Sequence, residues 1–320
     1  MKKPLILCAL FACALSAAIA FAQTYPTRAI RFVVPTAPGG GPDVVARFIA
    51  PRLTELLGQQ VVVENRAGAN AMIGAEMVAR APADGYTWLF GTGQNTVNPS
   101  TMKKVPHDIV ADFAPVSLVY MSSFILVVHP AVPAKSVKEF IAVAKAQPNK
   151  LNFGSGGIGS AAHLSGELFM MMTGCKMTHI PYKGAGPALQ DLIGGQVHVL
   201  FDNLPSSIGH IKGGRLRALA VTSAERDPAL PDTPTVGDTV PGYEATAWFG
   251  IGMPKGTPRD VIEKLNAEVN RALADPKMKE KLAELGGRTI PGTPEDFGKV
   301  MAEETARWEK VVKASGAKVE

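Results

Sequence analysis

Cysteine is scarce in this chain, and the positions of its three cysteines among 320 residues exclude a disulfide framework. Cys8 and Cys13 lie in an apolar N-terminal segment, which leaves Cys175 as the one thiol of the remaining chain. A chain of this length can bury a core large enough to be stable without disulfides. The six histidines are dispersed singly, so no metal-ligand spacing occurs. We therefore expect neither a cofactor nor a metal.

Complete catalytic and nucleotide-binding motifs are also missing. The segment Gly154-x-Gly156-x-x-Gly159 follows a predicted strand, but no acidic residue lies about 20 positions later to hold a ribose. Neither G-x-S-x-G nor G-x-x-x-x-G-K-S/T occurs. Ser160 and His163 nevertheless share one face of a predicted helix. An exported serine hydrolase that uses Ser160 or Ser155 with His163 therefore stays open as an alternative function.

Charge is sparse and nearly balanced. Charged residues make up 19% of the chain, and 33 basic against 28 acidic residues give a net charge of +5. The first 22 residues contain two lysines and no acid, so their removal would lower the net charge to 5 − 2 = +3. Long Lys or Arg runs interleaved with aromatic residues, which are typical of nucleic-acid binding, do not occur. We expect no nucleic-acid partner.

The N-terminus has the pattern of a secretory signal peptide. Two lysines precede an apolar run over residues 5–20, and the small-x-small site Ala20-Phe21-Ala22 follows. The run is shorter than the ~20 residues that a membrane-spanning helix needs. Residues 1–22 are therefore predicted to be a cleavable signal peptide, which places the mature protein in the periplasm. A lipoprotein anchor at Cys13 is disfavoured because the bulky Phe11 lies close before it.

Short β-branched runs alternate with amphipathic stretches after Gln23. This alternation predicts an α/β fold with largely parallel strands. The chain is expected to cross twice between two lobes, near residues 120–123 and 222–241, with separate strands at 116–119 and 124–129 around the first crossing. A hinge and a cleft should lie between the lobes. The predicted domains are residues 23–122 plus 224–320 for domain 1 and residues 123–223 for domain 2.

The most informative segment is a glycine-rich junction between the first strand and the first helix. Residues 34–43 read Val-Pro-Thr-Ala-Pro-Gly-Gly-Gly-Pro-Asp. Glycines let main-chain N–H groups approach a ligand closely, and the first turn of a helix adds unpaired donors and a positive dipole end. Such a junction can bind an anion. The alternative interpretation is a tight turn in which Asp43 is only the N-cap of the helix.

Polar, glycine-rich turns follow several other predicted strands, at residues 65–74, 154–160, 181–187 and 202–205. In parallel α/β sheets, ligands lie at the carboxyl ends of the strands, where such turns gather. Hydrogen-bond donors dominate these turns, and no pair of acids recurs near them. The turns are therefore expected to line one cleft that suits an anionic ligand.

Motifs along the chain resemble those of one receptor family. They are Val34-Pro35-x-Ala37-Pro38-Gly39-Gly40-x-x-Asp43, Ala83-Asp84-Gly85-Tyr86-Thr87 and Pro181-Tyr182-Lys183-Gly184. With these motifs in this order, the chain resembles the Bug-type receptors, which are the solute-binding component of tripartite tricarboxylate transporters. The resemblance implies a non-catalytic, two-lobed periplasmic binding protein, type II-like, with a hinge and an interdomain cleft. It also implies a small carboxylated solute as ligand, membrane transporter subunits as partners, and a monomer.

The resemblance further implies which residues bind the ligand. One ligand carboxylate would be held mainly by main-chain N–H groups and waters of the first two glycine turns, at Thr36, Ala37, Pro38, Gly39, Gly40, Gly41, Asp43, Asn65, Gly68, Asn70, Ile73 and Gly74. The distal part of the ligand would meet the other lobe at Ser155, Gly156, Ser160, His163, Tyr182, Lys183, Gly184 and Asp202.

The chain departs from the usual family pattern at three places. Thr36 stands where an aromatic residue is common, Gly41-Pro42 replaces a pair that contains Ser or Thr, and Ala69-Asn70-Ala71 replaces a glycine pair. Ligand choice is expected to depend on Thr36 and Gly41-Pro42. A ligand-presenting partner of a membrane sensor would share the same cleft, and this alternative also stays open.

Overall fold

The computed structural model describes residues 25–315. The predicted signal peptide at residues 1–22, with Cys13, lies outside the described residues. The strands are β1 (Ile30–Val34), β2 (Val61–Asn65), β3 (Thr87–Thr92), β4 (Phe113–Val128), β5 (Asn152–Ser155), β6 (Thr178–Pro181), β7 (Val199–Asn203), β8 (Arg217–Val221), β9 (Thr246–Pro254) and β10 (Gly287–Thr289).

Helices alternate with most of these strands, as the sequence pattern predicts. They are α1 (Gly41–Leu57), α2 (Met72–Ala79), α3 (Gly93–Thr101), α4 (Val137–Ala146), α5 (Ala161–Thr173), α6 (Ala185–Ile193), α7 (Leu204–Lys212), α8 (Arg259–Ala274), α9 (Pro276–Glu284) and α10 (Pro294–Ser315). Among the helices of residues 25–315, none is both long enough and apolar enough to cross a membrane.

One long strand joins the two halves of the molecule. The first part of β4 pairs with β9 from Phe113 to Ser123, and the last part pairs with β7 from Phe124 to Val128. The prediction of separate strands at 116–119 and 124–129 is therefore wrong. The run from 113 to 128 stays one strand although its register against β9 shifts twice, and most of its side chains are buried.

The strand directions are mixed rather than largely parallel. Parallel pairs surround β1, which lies between β2 and β3, and β5, which lies between β6 and β7. Antiparallel pairs join β4 to β7, β8, β9 and β10, and β3 to β9. The strand order is β2-β1-β3-β9-β4-β7-β5-β6. The two parallel blocks keep their βαβ crossovers, and the antiparallel strands β4 and β9 lie between them.

Each half of the sheet has its own hydrophobic core. The first lobe contains β1, β2, β3, β9, β10 and the start of β4, and Phe32, Trp88 and Phe90 fill its centre. The second lobe contains β5 to β8 and the end of β4, and Phe169 and Phe201 pack together in its centre. The architecture is thus the predicted two-lobed α/β fold. The domain boundaries at residues 122/123 and 223/224 stay a prediction.

The first helix begins earlier than the N-cap interpretation of Asp43 requires. Gly40 is the N-cap in an extended conformation, Gly41 and Pro42 start the first turn, and Asp43 follows inside the helix. The assignment of Asp43 as N-cap is therefore wrong. Proline is well suited to this first turn, since its missing N–H would have no partner inside the helix.

Candidate ligand-binding cleft

A cavity of about 430 Å³ lies between the two lobes. Its walls come from the turns that follow strands of both lobes, which confirms that these turns gather at one place. Of the residues predicted to bind a ligand, those that line the cavity are Thr36, Gly40, Gly68, Asn70, Gly156, Ser160, Tyr182, Lys183 and Gly184.

Six helices point their N-termini at this cavity. The N-caps of α1, α2, α3, α5, α6 and α7 are all lining residues, namely Gly40, Ala71, Thr92, Ser160, Gly184 and Asn203. The first N–H groups of a helix have no partner inside it, and each N-terminus carries the equivalent of about half a positive charge. The backbone alone therefore makes the cavity a favourable environment for an anion.

The side chains of the lining are mostly apolar or neutral. Among the lining residues, which all lie within residues 25–315, Lys183 is the one with a charged side chain. Phe124, Phe249 and Trp308 add aromatic surface. Two buried side-chain oxygens, Oγ1 of Thr36 and Oδ1 of Asn203, have no hydrogen-bond partner in the described structure. Buried polar atoms are normally paired, so a ligand or water is the expected partner at both positions.

The backbone of the second glycine turn is strained where it faces the cavity. Ala69, Asn70 and Ala71 have φ angles of 46°, 52° and 69°. These left-handed conformations cost non-glycine residues roughly 1–2 kcal/mol each, and such strain clusters at functional sites. All three residues line the cavity.

Eleven predicted ligand-binding residues do not line the cavity. Three of them, Asp43, Asn65 and Gly39, form a network that supports the lining. Asp43 is buried, and its carboxylate accepts hydrogen bonds from the N–H of Gly39, from Nδ2 of Asn65 and from Nε of Arg47, each at 2.9 Å. Asn65 also donates to the carbonyl of Thr36 at 3.1 Å. The network fixes the two glycine turns to each other.

Close packing explains five more of these residues. Gly41 and Gly74 have no room for a side chain, because a Cβ atom would lie 2.6 Å from Cβ of Asn203 in the first case and 2.8 Å from the carbonyl oxygen of Arg66 in the second. Ala37 and Pro38 lie against glycines 184 and 186 of the other lobe, and Ile73 covers Gly68. These residues shape the cleft and let the lobes approach.

The remaining three, Ser155, His163 and Asp202, lie behind the cavity wall. Ser155 is fully buried, and its hydroxyl lies 2.6 Å from Nε2 of His179. His163 turns its ring nitrogens toward the N–H of Gly159, at 3.0 Å, and Oε1 of Glu167, at 3.3 Å. Burial raises the pKa of Asp202 to about 6, although hydroxyls of Ser206 and Ser207 donate to it at 2.5 Å.

These positions argue against the serine hydrolase alternative. The Ser160 hydroxyl caps α5 by accepting the backbone N–H of His163 at 3.1 Å, and the imidazole of His163 is engaged elsewhere. The buried Ser155 is not accessible to a substrate. Neither proposed nucleophile therefore has the exposed hydroxyl with a free adjacent base that nucleophilic catalysis requires.

Several lining residues were not predicted from the sequence. Thr92 is the last residue of β3, and Gln94 follows it after Gly93, so a strand followed by a glycine could have marked both residues. Asn203 directly follows the predicted residue Asp202. Trp308 lies on α10, far along the chain from every glycine turn, and no local pattern marks it.

Direct hydrogen bonds join the two lobes at the cavity rim. Gln94 of α3 accepts the backbone N–H of Ala161 at 2.8 Å and donates to the carbonyl of Gly159 at 3.1 Å. Asn70 donates through Nδ2 to the carbonyl of Ile158. The first lobe thus holds residues 158–161 of the second lobe through two amide side chains.

Residues 45–317 match the family described as "Tripartite tricarboxylate transporter family receptor". The chain belongs to this receptor family. The fold and the family are those of substrate-binding receptors rather than enzymes, which removes the hydrolase alternative. Family members are periplasmic proteins that bind small carboxylates and work with membrane components of the transporter.

Named relatives and solved structures agree with this assignment. BugT of Bordetella pertussis is 40% identical, over 93% of this chain and 92% of its own length. The structure of R. palustris Rpa4515 with adipate is 41% identical with a TM-score of 0.89, and it covers 92% of this chain and all of its own. MatC from Rhodopseudomonas palustris with bound malate is 33% identical with a TM-score of 0.85, over 90% of this chain and all of its own.

Proposed function

We propose that this receptor captures a small carboxylate in the cleft between its lobes and delivers it, in the periplasm, to the membrane subunits of a tripartite tricarboxylate transporter. The observation that carries the proposal is the convergence of six helix N-termini on one cavity whose lining includes no acidic side chain among the described residues. The ligand carboxylate would lie against these N-termini. Oγ1 of Thr36 and Oδ1 of Asn203 are further candidates to contact the ligand.

The apolar part of the lining suggests the rest of the ligand. Phe124, Phe249 and Trp308 offer surface to a hydrocarbon body, and Lys183 is available for a second anionic group. Charge-assisted hydrogen bonds contribute roughly 1.5–3 kcal/mol each, and a micromolar dissociation constant needs about 8 kcal/mol. A few such bonds with some apolar contact therefore suffice. The bound structures with adipate and malate are consistent with ligands of this kind in the family.

A thermal-shift panel tests the proposal. The mature protein, freed of retained ligand by partial unfolding and refolding, is heated with adipate, malate, hexanoate, benzoate and citrate. We expect at least one acid to raise the melting temperature, and the corresponding primary amide to have no effect. The matched variant Gly40→Val, which places a side chain at the N-terminus of α1, should remove the shift. A flat response to every acid would refute the carboxylate proposal.

A further inference from the structure

Two stacked imidazoles lie directly behind one wall of the cavity. This wall is the cavity loop, residues 156–160, which joins β5 to α5. The ring of His163, on α5, and the ring of His179, on β6, have centroids 3.9 Å apart and planes inclined by 22°. The ring of Phe153 stacks on both imidazoles, with its centroid 4.7 Å from that of His179 and 6.0 Å from that of His163. The pair is thus held in place by the core of the second lobe.

The imidazole pair holds the cavity loop at two points. Nδ1 of His163 accepts the backbone N–H of Gly159 at 3.0 Å. Nε2 of His179 lies 2.6 Å from the hydroxyl of Ser155, and that hydroxyl accepts the N–H of Gly157 at 3.2 Å. The carbonyl of Gly159 in turn accepts from the first lobe. A change in the rings is therefore transmitted to the loop that lines the cavity and contacts both lobes.

The arrangement requires a neutral ring at His163. An imidazole nitrogen that accepts a hydrogen bond carries no proton, so the proton of the neutral ring must be on Nε2, which faces Glu167 at 3.3 Å. A second proton would place an N–H of His163 against the N–H of Gly159. It would also place a positive charge beside His179.

The surroundings of the pair disfavour positive charge on the second ring as well. Burial and, to a smaller extent, the neighbouring His163 lower the pKa of His179 to about 4, while Glu167 acts in the opposite direction. Glu167, on α5, is the negative group beside the rings, while β5 contributes Phe153 and Ser155.

We propose that His163 and His179 are positioning residues that keep the cavity loop in its binding conformation while both rings are neutral, and that protonation of His163 releases the loop. The consequence for the ligand, weaker binding in acid, rests on the proposed function. The response of the loop does not, because both imidazole anchors lie within the second lobe. The ligand cavity would thereby respond to pH through groups that do not touch the ligand.

Amide hydrogen exchange at Gly159, followed by NMR in ligand-free protein, tests the loop directly. Imidazole groups generally change charge between pH 5 and 8, so rates are measured at pH 7.5 and pH 5.0 and corrected for intrinsic exchange. We expect the protection of Gly159 to fall several-fold at pH 5.0 in the wild type. His163→Asn should show no such fall, because its Oδ1 can accept the same N–H and does not titrate. His163→Ala should already be unprotected at pH 7.5.

His198 supplies the matched control. Its Nδ1 also accepts a backbone N–H, from Asn152 at 2.9 Å, but at the end of β5 away from the cavity loop. His198→Asn should therefore behave like the wild type at Gly159. Equal protection of wild-type Gly159 at both pH values would overturn the proposal. So would a response that persists in His163→Asn, including one that disappears only in His179→Gln.

A second measurement extends the test to the ligand. For an acid that stabilises the wild type, the dissociation constant should rise by up to tenfold per pH unit once the ring is charged, and less in His163→Asn. An equal pH dependence in both proteins would overturn the link between ring and ligand. If no acid binds, the proposed function fails while the exchange experiment still decides the role of the rings.

Discussion

Ala69, Asn70 and Ala71 show how a single turn can carry both strain and function. The sequence marks this segment as a loop, yet two alanines in it give no sign of three successive left-handed residues, since alanine rarely adopts that conformation. Asp43 is a similar case. Its position after three glycines suggested a cap or a ligand contact, but only the folded structure brings it to Asn65 and Arg47.

We predict that Ala69→Gly stabilises the protein. The side chain of Ala69 is exposed, so its replacement by glycine loses no packing. Its φ of 46° is left-handed, and glycine relieves this strain of roughly 1–2 kcal/mol. The conformational entropy of glycine in the unfolded chain offsets about 0.5–1 kcal/mol of that gain. The free energy of unfolding, measured by urea denaturation, should rise by about 0.5–1 kcal/mol. Ala267→Gly, at an exposed position within α8, should lower it by about 1 kcal/mol. A loss in both variants would contradict the strain argument.

At the scale of elements, strands followed by glycine turns were predictable, and so was their convergence. The pattern predicts a first strand over residues 29–34 and a first helix over residues 43–57, and the bounds of β1 and α1 lie within two residues of these. The contacts that close the cleft could not be predicted, because they join residues far apart in sequence. Trp308 has no local signature, and the glycine turn that marks Gln94 does not show that its side chain contacts Gly159 and Ala161 of the second lobe.

Gln94 should contribute to closure of the cleft. Gln94→Ala removes its two hydrogen bonds to Gly159 and Ala161 of the other lobe. Each bond contributes a net of about 0.5–1.5 kcal/mol, so the pair stabilises the closed state by roughly 1–3 kcal/mol. The dissociation constant for a stabilising acid, measured by calorimetry, should therefore rise by about tenfold. Gln190→Ala, at an exposed position on α6, is the control and should leave it unchanged. An unaltered dissociation constant in Gln94→Ala would show that these bonds do not bias closure.

At the scale of the whole molecule, the two-lobed fold was predictable from the alternation of elements, but the continuous strand β4 was not. A segment whose sequence indicates two short strands can form one, because it pairs with β9 in one lobe and with β7 in the other. The second lobe also contains two titratable groups with shifted pKa values, the buried Asp202 and the half-buried His179. The two shifts have opposite effects on the pH dependence of stability.

We predict opposite pH profiles for Asp202→Asn and His179→Gln relative to the wild type. Burial raises the pKa of Asp202 from 3.8 to about 6, so the native state binds its proton first, and this carboxyl adds stability as pH falls from about 6 to about 4. Burial lowers the pKa of His179 from 6.5 to about 4, so the unfolded state binds its proton first, and this ring removes stability as pH falls through the same range. The free energy of unfolding is measured by urea denaturation at pH 7, 6, 5 and 4. As pH falls, the value for the wild type should rise relative to that of Asp202→Asn by up to about 1.4 kcal/mol per pH unit, the limit for one proton. Relative to His179→Gln, the free energy of unfolding of the wild type should fall as pH falls, by a smaller amount, since the His179 ring is partly exposed to solvent. Parallel pH profiles for the two variants would show that burial shifts the pKa of neither Asp202 nor His179.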